Sequence, residues 1–149
     1  ISELSDGGIE NHFNNIYKST ILGTKYAARY MSKGGIITNI GSFAGILPMK
    51  NASIYSSLKT AINTFTKSSA SELGQKGIRV NCVVPGVIRT PMTSKYIDDN
   101  YNKIIKPIAL GRVGECDEVA SGVLFLCSEL ANYITGSVLE ITGGKYLIQ

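Results

Sequence analysis

The 149-residue chain is 44% hydrophobic and 17% charged, so it is long enough and apolar enough to build the core of one domain. Its formal net charge of +4 at pH 7 comes from scattered lysines and arginines rather than from one basic run, which argues against a nucleic-acid partner. No apolar stretch approaches the roughly 18 residues of a membrane helix, and no secretory signal opens the chain, so we expect neither a membrane protein nor a secreted one.

Three strand-like runs alternate with helical patterns along the chain. In order, the sequence predicts a helix over roughly 9–31, a strand over 35–40, a helix over 53–73, a strand over 78–84, a helix over 115–130 and a strand over 137–141. Strands and helices in alternation predict an α/β fold, in which helices cover a parallel sheet.

Residues 86–113 follow the second predicted strand and lack a clear pattern. They contain Pro91, Pro107 and a polar stretch near Asp98. In α/β proteins a long segment after the carboxyl end of a strand lies where ligands bind, so we interpret this segment as a mobile lid over a small-molecule site. An irregular surface loop with one short helix is the alternative.

Cysteine and histidine usage argues against a metal site. Cys82, Cys116 and Cys127 are an odd number and have no C-x-x-C spacing, which disfavours disulfides and fits a reducing compartment. We therefore expect a cytoplasmic protein. His12 is the only histidine, so no histidine-based metal cluster can form, and we interpret it as a surface residue.

Three residues suited to redox chemistry lie close together in the chain. Ser42 follows the first predicted strand, Tyr55 comes thirteen positions later, and Lys59 comes four positions after Tyr55. The i, i+4 spacing places Tyr55 and Lys59 on one face of a helix. A hydroxyl donor, a phenol that moves a proton and an ammonium beside that phenol suit reactions at a carbonyl or a carbinol. Tyr-x-x-x-Lys alone is a weak signal, and an exposed helical pair is the alternative.

With its surroundings, this arrangement resembles the short-chain dehydrogenase/reductase family. The chain has the family's Ser…Tyr-x-x-x-Lys site, its Asn-x-x-Ser strand end at 39–42 and its Pro-Gly-x-x-x-Thr segment at 85–90. The family's tail is matched at Gly111-Arg112-Val113-Gly114, at Asp117-Glu118-Val119-Ala120, at Tyr133-Ile134-Thr135-Gly136 and at Gly143-Gly144. The resemblance runs from about residue 9 to 146 and implies the later strands and helices of a doubly wound, Rossmann-type parallel sheet.

The resemblance also implies an activity, which is NAD(P)-dependent interconversion of a small-molecule alcohol and a ketone. Tyr55 would be the general acid/base, Lys59 would bind the nicotinamide ribose and lower the Tyr55 pKa, and Ser42 would hold the substrate oxygen. Thr90 and the backbone of Ile88 would hold the carboxamide of NAD or NADP. The implied cofactor-binding residues are Tyr55, Lys59, Pro85, Gly86, Ile88 and Thr90.

Two family features at the amino-terminal side do not occur in the chain. These are the glycine-rich turn and the Asn-Asn-Ala-Gly-like segment, which belong to βα units of on the order of 100 residues at ~30 residues per βαβ unit. We therefore expect residues 1–149 to be a single unit, the carboxy-terminal part of a Rossmann domain, and to be inactive alone. Ile1 is not a methionine, which fits a start inside a longer protein.

The family often has an asparagine on the helix before Ser42, where it anchors a proton-relay water. Counting back from Met31 places that position at Ile16, and Asn15 is one residue away, about 100° around a helix. Either the helix carries an insertion and Asn15 serves as the relay residue, or the relay is absent.

Two other functions stay open. Epimerases and dehydratases of the family's extended branch share Tyr-x-x-x-Lys, but they carry a longer substrate domain than the residues after Lys59 provide. An inactive fragment or a non-catalytic partner subunit is a further alternative, which the absent nucleotide-binding half supports. By resemblance we also expect a homodimer or homotetramer.

Overall fold

The computed structural model describes residues 3–145 and has an α/β fold. In chain order its elements are α1 (Asp6–His12), a π-helical segment (Phe13–Lys18), α2 (Ser19–Tyr30), β1 (Ile36–Ile40), a 3-10 turn (Phe43–Gly45), α3 (Ser53–Gly74), β2 (Arg79–Pro85), β3 (Ile88–Arg89), α4 (Ser94–Ile105), β4 (Gly114–Glu115), α5 (Cys116–Cys127), a second 3-10 turn (Glu129–Ala131) and β5 (Val138–Ile141). The predicted fold class is confirmed. Residues 1–2 and 146–149 of the predicted domain lie outside the described residues.

The main sheet has three parallel strands in the order β1-β2-β5. Central strand β2 is fully buried from Val80 to Val84, which is typical of a parallel strand covered on both faces. Asn81 lies inside this run, and its side chain donates to the Ile134 carbonyl at 2.9 Å and accepts from the Ser137 N–H at 3.0 Å. Its amide is therefore satisfied within the core.

Helices α3 and α5 cover opposite faces of β2, because alternate side chains of a strand point to opposite faces. On one face, Val80 packs in a cluster with Ala70 of α3, and Cys82 packs in another with Ile62 of α3. On the other face, the Arg79 guanidinium donates to the Leu126 carbonyl of α5 at 2.9 Å. The sheet thus positions α3 against the strands whose ends carry the candidate site.

The observed elements follow the predicted pattern with a few differences. The three predicted strands and the helix predicted at 53–73 are present within one or two residues of their predicted bounds. The helix predicted at 9–31 is interrupted by the π-helical segment, and the helix predicted at 115–130 ends at Cys127. In addition, strands β3 and β4 were not predicted, and a helix in the region of α4 was expected only under the alternative interpretation of residues 86–113.

Segment 86–113 is a folded flap. Strand β3 pairs in parallel with β4, and α4 lies between them in the chain. Four residues of the segment form a buried apolar cluster of their own, which is separate from the clusters under α3: Ile97, Ile104, Ile108 and Val113. The segment is therefore more ordered than an irregular loop, and its role as a lid stays a prediction.

Candidate active site

Ser42 lies directly beyond the end of β1, where the chain leaves the sheet. The Gly41 N–H still donates to the Val83 carbonyl at 2.8 Å, which fixes the position from which Ser42 departs. The Ser42 Oγ accepts the Ala44 N–H at 3.2 Å, so it caps the 3-10 turn. Because the oxygen serves as the acceptor in this bond, the hydroxyl proton is left for donation to another oxygen.

Tyr55 and Lys59 lie on the first two turns of α3, on one face as their spacing predicts. Both side chains are half-buried. The Lys59 Nζ atom lies 5.8 Å from the centroid of the Tyr55 ring, so the positive charge is next to the phenol. The structure thus brings together the two residues that the motif predicts to act as a pair.

The Lys59 ammonium also connects α3 to the first strand, because its Nζ atom donates to the Ile40 carbonyl at 2.9 Å. Burial lowers the pKa of Lys59, and the neighbouring Cys82 acts in the opposite direction. Burial also raises the pKa of Cys82, so the thiol is neutral near pH 7 and the desolvation of Lys59 decides the direction. An ammonium has three N–H donors, so two remain for a ligand.

Gly45 allows the turn after Ser42 to approach α3 closely. A Cβ atom at this position would lie 2.6 Å from the carbonyl carbon of Lys59, which is shorter than any real contact between such atoms. A glycine is therefore required here for the Ser42 turn to reach the helix that carries Tyr55.

The predicted cofactor-binding residues Pro85 and Gly86 lie at the end of β2, beyond Val83, which pairs with Ile40 at the end of β1. The carboxyl ends of parallel strands meet at one edge of a sheet, so this segment and Ser42 share an edge. The Gly86 N–H donates to the Ile141 carbonyl at 2.9 Å. A Cβ atom on Gly86 would lie 2.9 Å from the Thr142 Cα, so a glycine at this position allows the two backbone segments to approach closely.

Ile88 and Thr90 are held by Thr93, a residue that the sequence did not single out. The Thr93 hydroxyl donates to the Ile88 carbonyl at 2.7 Å and accepts the Thr90 N–H at 2.9 Å. The Thr90 hydroxyl lies 2.9 Å from the Thr93 hydroxyl. One lone pair of the Ile88 carbonyl is left for a ligand. The Thr-x-x-Thr spacing is the only sequence signal for this network.

Asn15 lies in the π-helical segment, which holds one more residue per turn than an α-helix and so provides the insertion that one alternative requires. Its side chain donates to the Asn11 Oδ1 at 2.8 Å, and its carbonyl accepts the Ser19 hydroxyl at 2.7 Å. Ile16, at the position reached by counting, packs instead against the cluster beneath the site. The relay role of Asn15 stays a prediction.

A cavity of ≈ 690 Å³ opens beside Tyr55. His12 lies on its wall, and its Nδ1 atom lies 2.8 Å from the Gly8 carbonyl. A carbonyl only accepts, so Nδ1 carries the proton and Nε2 is the remaining polar atom of the ring. The exposed His12 is thus a surface residue that also borders the cavity beside Tyr55. The lining residues are Glu3, Leu4, His12, Asn51, Ala52, Ser53, Ile54 and Tyr55.

Residues 3–145 show neither a metal cluster nor a membrane-spanning helix. In this part of the chain, no group of three or more His, Cys, Asp or Glu side chains could hold a metal ion. None of the helices described there is both long enough and apolar enough to cross a bilayer.

The chain is similar to known proteins along nearly its whole length. The profile of a family described as enoyl-(acyl carrier protein) reductase matches residues 1–145. The 3-oxoacyl-[acyl-carrier-protein] reductase FabG of Aquifex aeolicus is 43% identical over 129 residues, which are 85% of this chain and 52% of that protein. The chain thus spans about half the length of the curated relatives it matches.

Solved structures share the fold over nearly the whole chain. A short-chain dehydrogenase/reductase described as glucose/ribitol dehydrogenase, from Brucella melitensis, aligns with a TM-score of 0.92 and 30% identity, over 97% of this chain and 59% of that one. An oxidoreductase from Haemophilus influenza with bound NAD aligns with a TM-score of 0.92 and 31% identity, over 99% of this chain and 56% of that one. The chain therefore belongs to the short-chain dehydrogenase/reductase family.

Proposed function

We propose that the whole protein, meaning residues 1–149 with any further residues of the natural chain, is a nicotinamide-dependent oxidoreductase that interconverts an alcohol and a ketone. The observation that carries this proposal is the placement of Lys59. Its Nζ atom is 5.8 Å from the Tyr55 ring centroid and 2.9 Å from the carbonyl of Ile40, two residues before Ser42. One ammonium thus connects the proposed acid to the strand end that presents Ser42.

Each of the three residues has one task in this proposal. Tyr55 gives a proton to the carbonyl oxygen during reduction and takes one from the hydroxyl during oxidation. Lys59 stabilises the phenolate that forms when the proton leaves, because its charge lies next to the ring. Ser42 donates its hydroxyl proton to the same substrate oxygen, which the bond from Ala44 to its Oγ favours. Asn15 is a proposed anchor for a relay water.

The cofactor end of the site fits a nicotinamide. The Ile88 carbonyl keeps a free lone pair, Thr93 fixes the Thr90 hydroxyl, and Lys59 keeps two N–H donors for ribose hydroxyls. Pro85 and Gly86 would form the adjoining wall. A bound nicotinamide supplies or takes up the hydride. We propose NAD or NADP, because the acidic or basic residue that separates them follows an early strand that these residues do not include.

We propose that the cavity beside Tyr55 receives part of the small-molecule substrate. We also propose that the 86–113 flap, which follows the carboxyl end of β2, acts as a lid over the site, although none of its residues lines this cavity. The volume of ≈ 690 Å³ is in the range of small-molecule pockets. Its lining combines apolar groups with a carboxylate, an imidazole and an amide, so the cavity suits a substrate with both apolar and polar parts.

We also propose a homodimer or homotetramer in a reducing cytoplasm. Leu124, Leu130 and Tyr133 are large apolar or aromatic side chains with exposed fractions of 71%, 83% and 104%, which is the kind of surface that a second subunit covers. All three cysteines are free, which fits a reducing compartment.

A direct test assays the purified whole protein with NAD(H) and NADP(H) against a panel of ketones and alcohols that includes β-keto thioesters, sugar alcohols and steroids. We expect nicotinamide absorbance to change with at least one substrate. Cofactor binding without turnover of any panel member would favour a non-catalytic partner subunit. Turnover without net oxidation or reduction would favour an epimerase or dehydratase.

A further inference from the structure

Helix α3 binds the Ser42 loop on both sides of Ser42. Before Ser42, the Ile40 carbonyl accepts from Lys59. After it, the Gly45 carbonyl accepts two side chains of α3, the Thr60 hydroxyl at 3.0 Å and the Asn63 amide at 3.3 Å. The proposed mechanism uses Lys59 but gives no task to the other two.

The contact at Gly45 leads back to Ser42 through the backbone. The Gly45 N–H donates to the Ser42 carbonyl at 2.8 Å, and the Ala44 N–H donates to the Ser42 Oγ at 3.2 Å. A shift of the Gly45 carbonyl therefore moves the turn that sets the direction of the Ser42 hydroxyl.

We propose that Thr60 and Asn63 are positioning residues, which hold the Ser42 hydroxyl in register with Tyr55 and Lys59 by binding the Gly45 carbonyl. This inference rests on the proposed function. It assigns to α3 a second role beside presenting Tyr55: the same rigid helix fixes the distance between the proton-carrying phenol and the oxygen-holding hydroxyl.

Thr60 and Asn63 both donate to the Gly45 carbonyl, so each can replace the other as its donor. The Thr60 hydroxyl has one proton and lies 2.9 Å from the Ser56 carbonyl as well, so it divides that proton between two acceptors. The Asn63 amide is oriented by the buried Cys82 thiol, whose Sγ lies 3.7 Å from the Asn63 Oδ1, and its NH₂ then faces Gly45. Either donor alone keeps the Gly45 carbonyl bound.

The expected effect on turnover follows from that redundancy. Misplacement of a catalytic group by about 1 Å lowers a rate by up to ~10²-fold, so we expect about a tenfold lower kcat when both donors are removed. Thr60→Val or Asn63→Leu alone should lower kcat by no more than about threefold, because the other donor remains. Affinity for the cofactor and the pH–rate profile should not change, because Tyr55 and Lys59 are intact.

The experiment compares Thr60→Val, Asn63→Leu and the double variant in the whole protein. The kcat values are normalised to the number of cofactor-binding sites, so that partial misfolding does not count as lost catalysis. Thr64→Val is the matched control, because Thr64 is an exposed threonine of the same helix. Restoring the hydroxyl, as Thr60→Ser with Asn63→Leu, should return kcat to that of Asn63→Leu alone. A double variant with unchanged kcat, or no recovery with the serine, overturns the proposal.

The Ser42→Ala background separates positioning of Ser42 from a general effect on the fold. If Thr60 and Asn63 act through the Ser42 hydroxyl, the double change should lower the residual kcat of Ser42→Ala by less than about twofold. An equal loss in both backgrounds would overturn the proposal. Where the residual rate is too low to measure, the recovery with Thr60→Ser decides. Failure of the proposed function would appear separately, as absent oxidoreductase activity in the unsubstituted protein.

Discussion

The Nζ atom of Lys59 and the carbonyl oxygen of Ile40 are 2.9 Å apart, which connects helix α3 to the last residue of strand β1. This bond places the ammonium between the Tyr55 ring and the strand end that leads to Ser42. A charge held there by the backbone needs little reorganisation when a phenolate forms beside it.

Removing the Lys59 ammonium should lower both turnover and cofactor affinity in the whole protein. Hydrogen bonds to charged groups contribute about 1.5–3 kcal/mol, so Lys59→Ala should weaken cofactor binding and lower kcat by roughly tenfold or more each. Steady-state kinetics and calorimetric titration measure the two effects. Lys67→Ala, an exposed lysine two turns further along α3, is the control and should change neither. Normal binding and turnover in Lys59→Ala would contradict both proposed roles of the ammonium.

Gly45→Ala should destabilise the protein and lower its activity, because the new Cβ would lie 2.6 Å from the backbone of Lys59. Overpacking of this kind costs about 1–3 kcal/mol. The measurement is the free energy of unfolding by denaturant. Gly7→Ala in α1 is the matched control, since nothing lies within 4 Å of a Cβ there. Equal stabilities of the two variants would contradict the close approach.

The ion pair between Arg112 and Glu118 predicts how the stability of the protein changes at acid pH. The Arg112 guanidinium donates to both carboxylate oxygens at 2.6 and 2.8 Å, and with the Glu115 N–H it lowers the pKa of Glu118 from 4.5 to about 2. A carboxyl whose pKa is lower in the folded state adds stability above about pH 4.5, and this stability is lost as the pH falls toward 2.

The measurement is the melting temperature of the wild type and of Glu118→Gln across this range. The wild type should be more stable at pH 6, and the difference should shrink between about pH 4.5 and 2. Glu72→Gln on α3 is the control, an exposed carboxylate for which the described residues show no ion pair. A difference that does not depend on pH would contradict the role of the ion pair.

Residues 1–149 alone should bind NAD(H) and NADP(H) poorly and show no dehydrogenase activity. Backbone N–H groups of a glycine-rich turn and a helix N-terminus normally bind the pyrophosphate, and the chain contains no such turn. Within residues 3–145, strand β1 also pairs only with β2, so its other edge is open. Calorimetric titration of this chain beside the whole protein tests the prediction. Micromolar binding by residues 1–149 would contradict it.

Elements set by local pattern could be predicted from the sequence. Strand β2 contains Val80, Val83 and Val84 and ends at Pro85, directly before Gly86, and α3 has a long apolar face. Strands β3 and β4 have two residues each and exist through their pairing, which no local pattern specifies. The π-helical segment likewise depends on a bond pattern that apolar spacing does not reveal. In α4, non-helical backbone angles at Asn100 interrupt the periodicity.

The candidate site also has a part that could be predicted from the sequence and a part that could not. The grouping of Ser42, Tyr55 and Lys59 could be predicted, because Ser42 follows a strand and the i, i+4 spacing puts Tyr55 and Lys59 on one face of a helix. Thr60, Asn63 and Thr93 act through hydrogen bonds to backbone carbonyls, and two of these three residues reach a carbonyl fifteen or more positions away in the chain. The contacts of Thr60 and Asn63 depend on the packed fold and have no motif, whereas the local contact of Thr93 has only the short Thr-x-x-Thr spacing as a signal.

The most direct test of the proposed function is the turnover of Tyr55→Phe in the whole protein, measured beside its cofactor affinity. The substitution removes only the phenolic oxygen, and general acid–base catalysis contributes ~10²–10⁴-fold, so kcat should fall by at least about a hundredfold. Cofactor affinity and the melting temperature should stay close to the wild-type values. Retention of more than about a tenth of the wild-type kcat would contradict the role of Tyr55 as the residue that moves the proton.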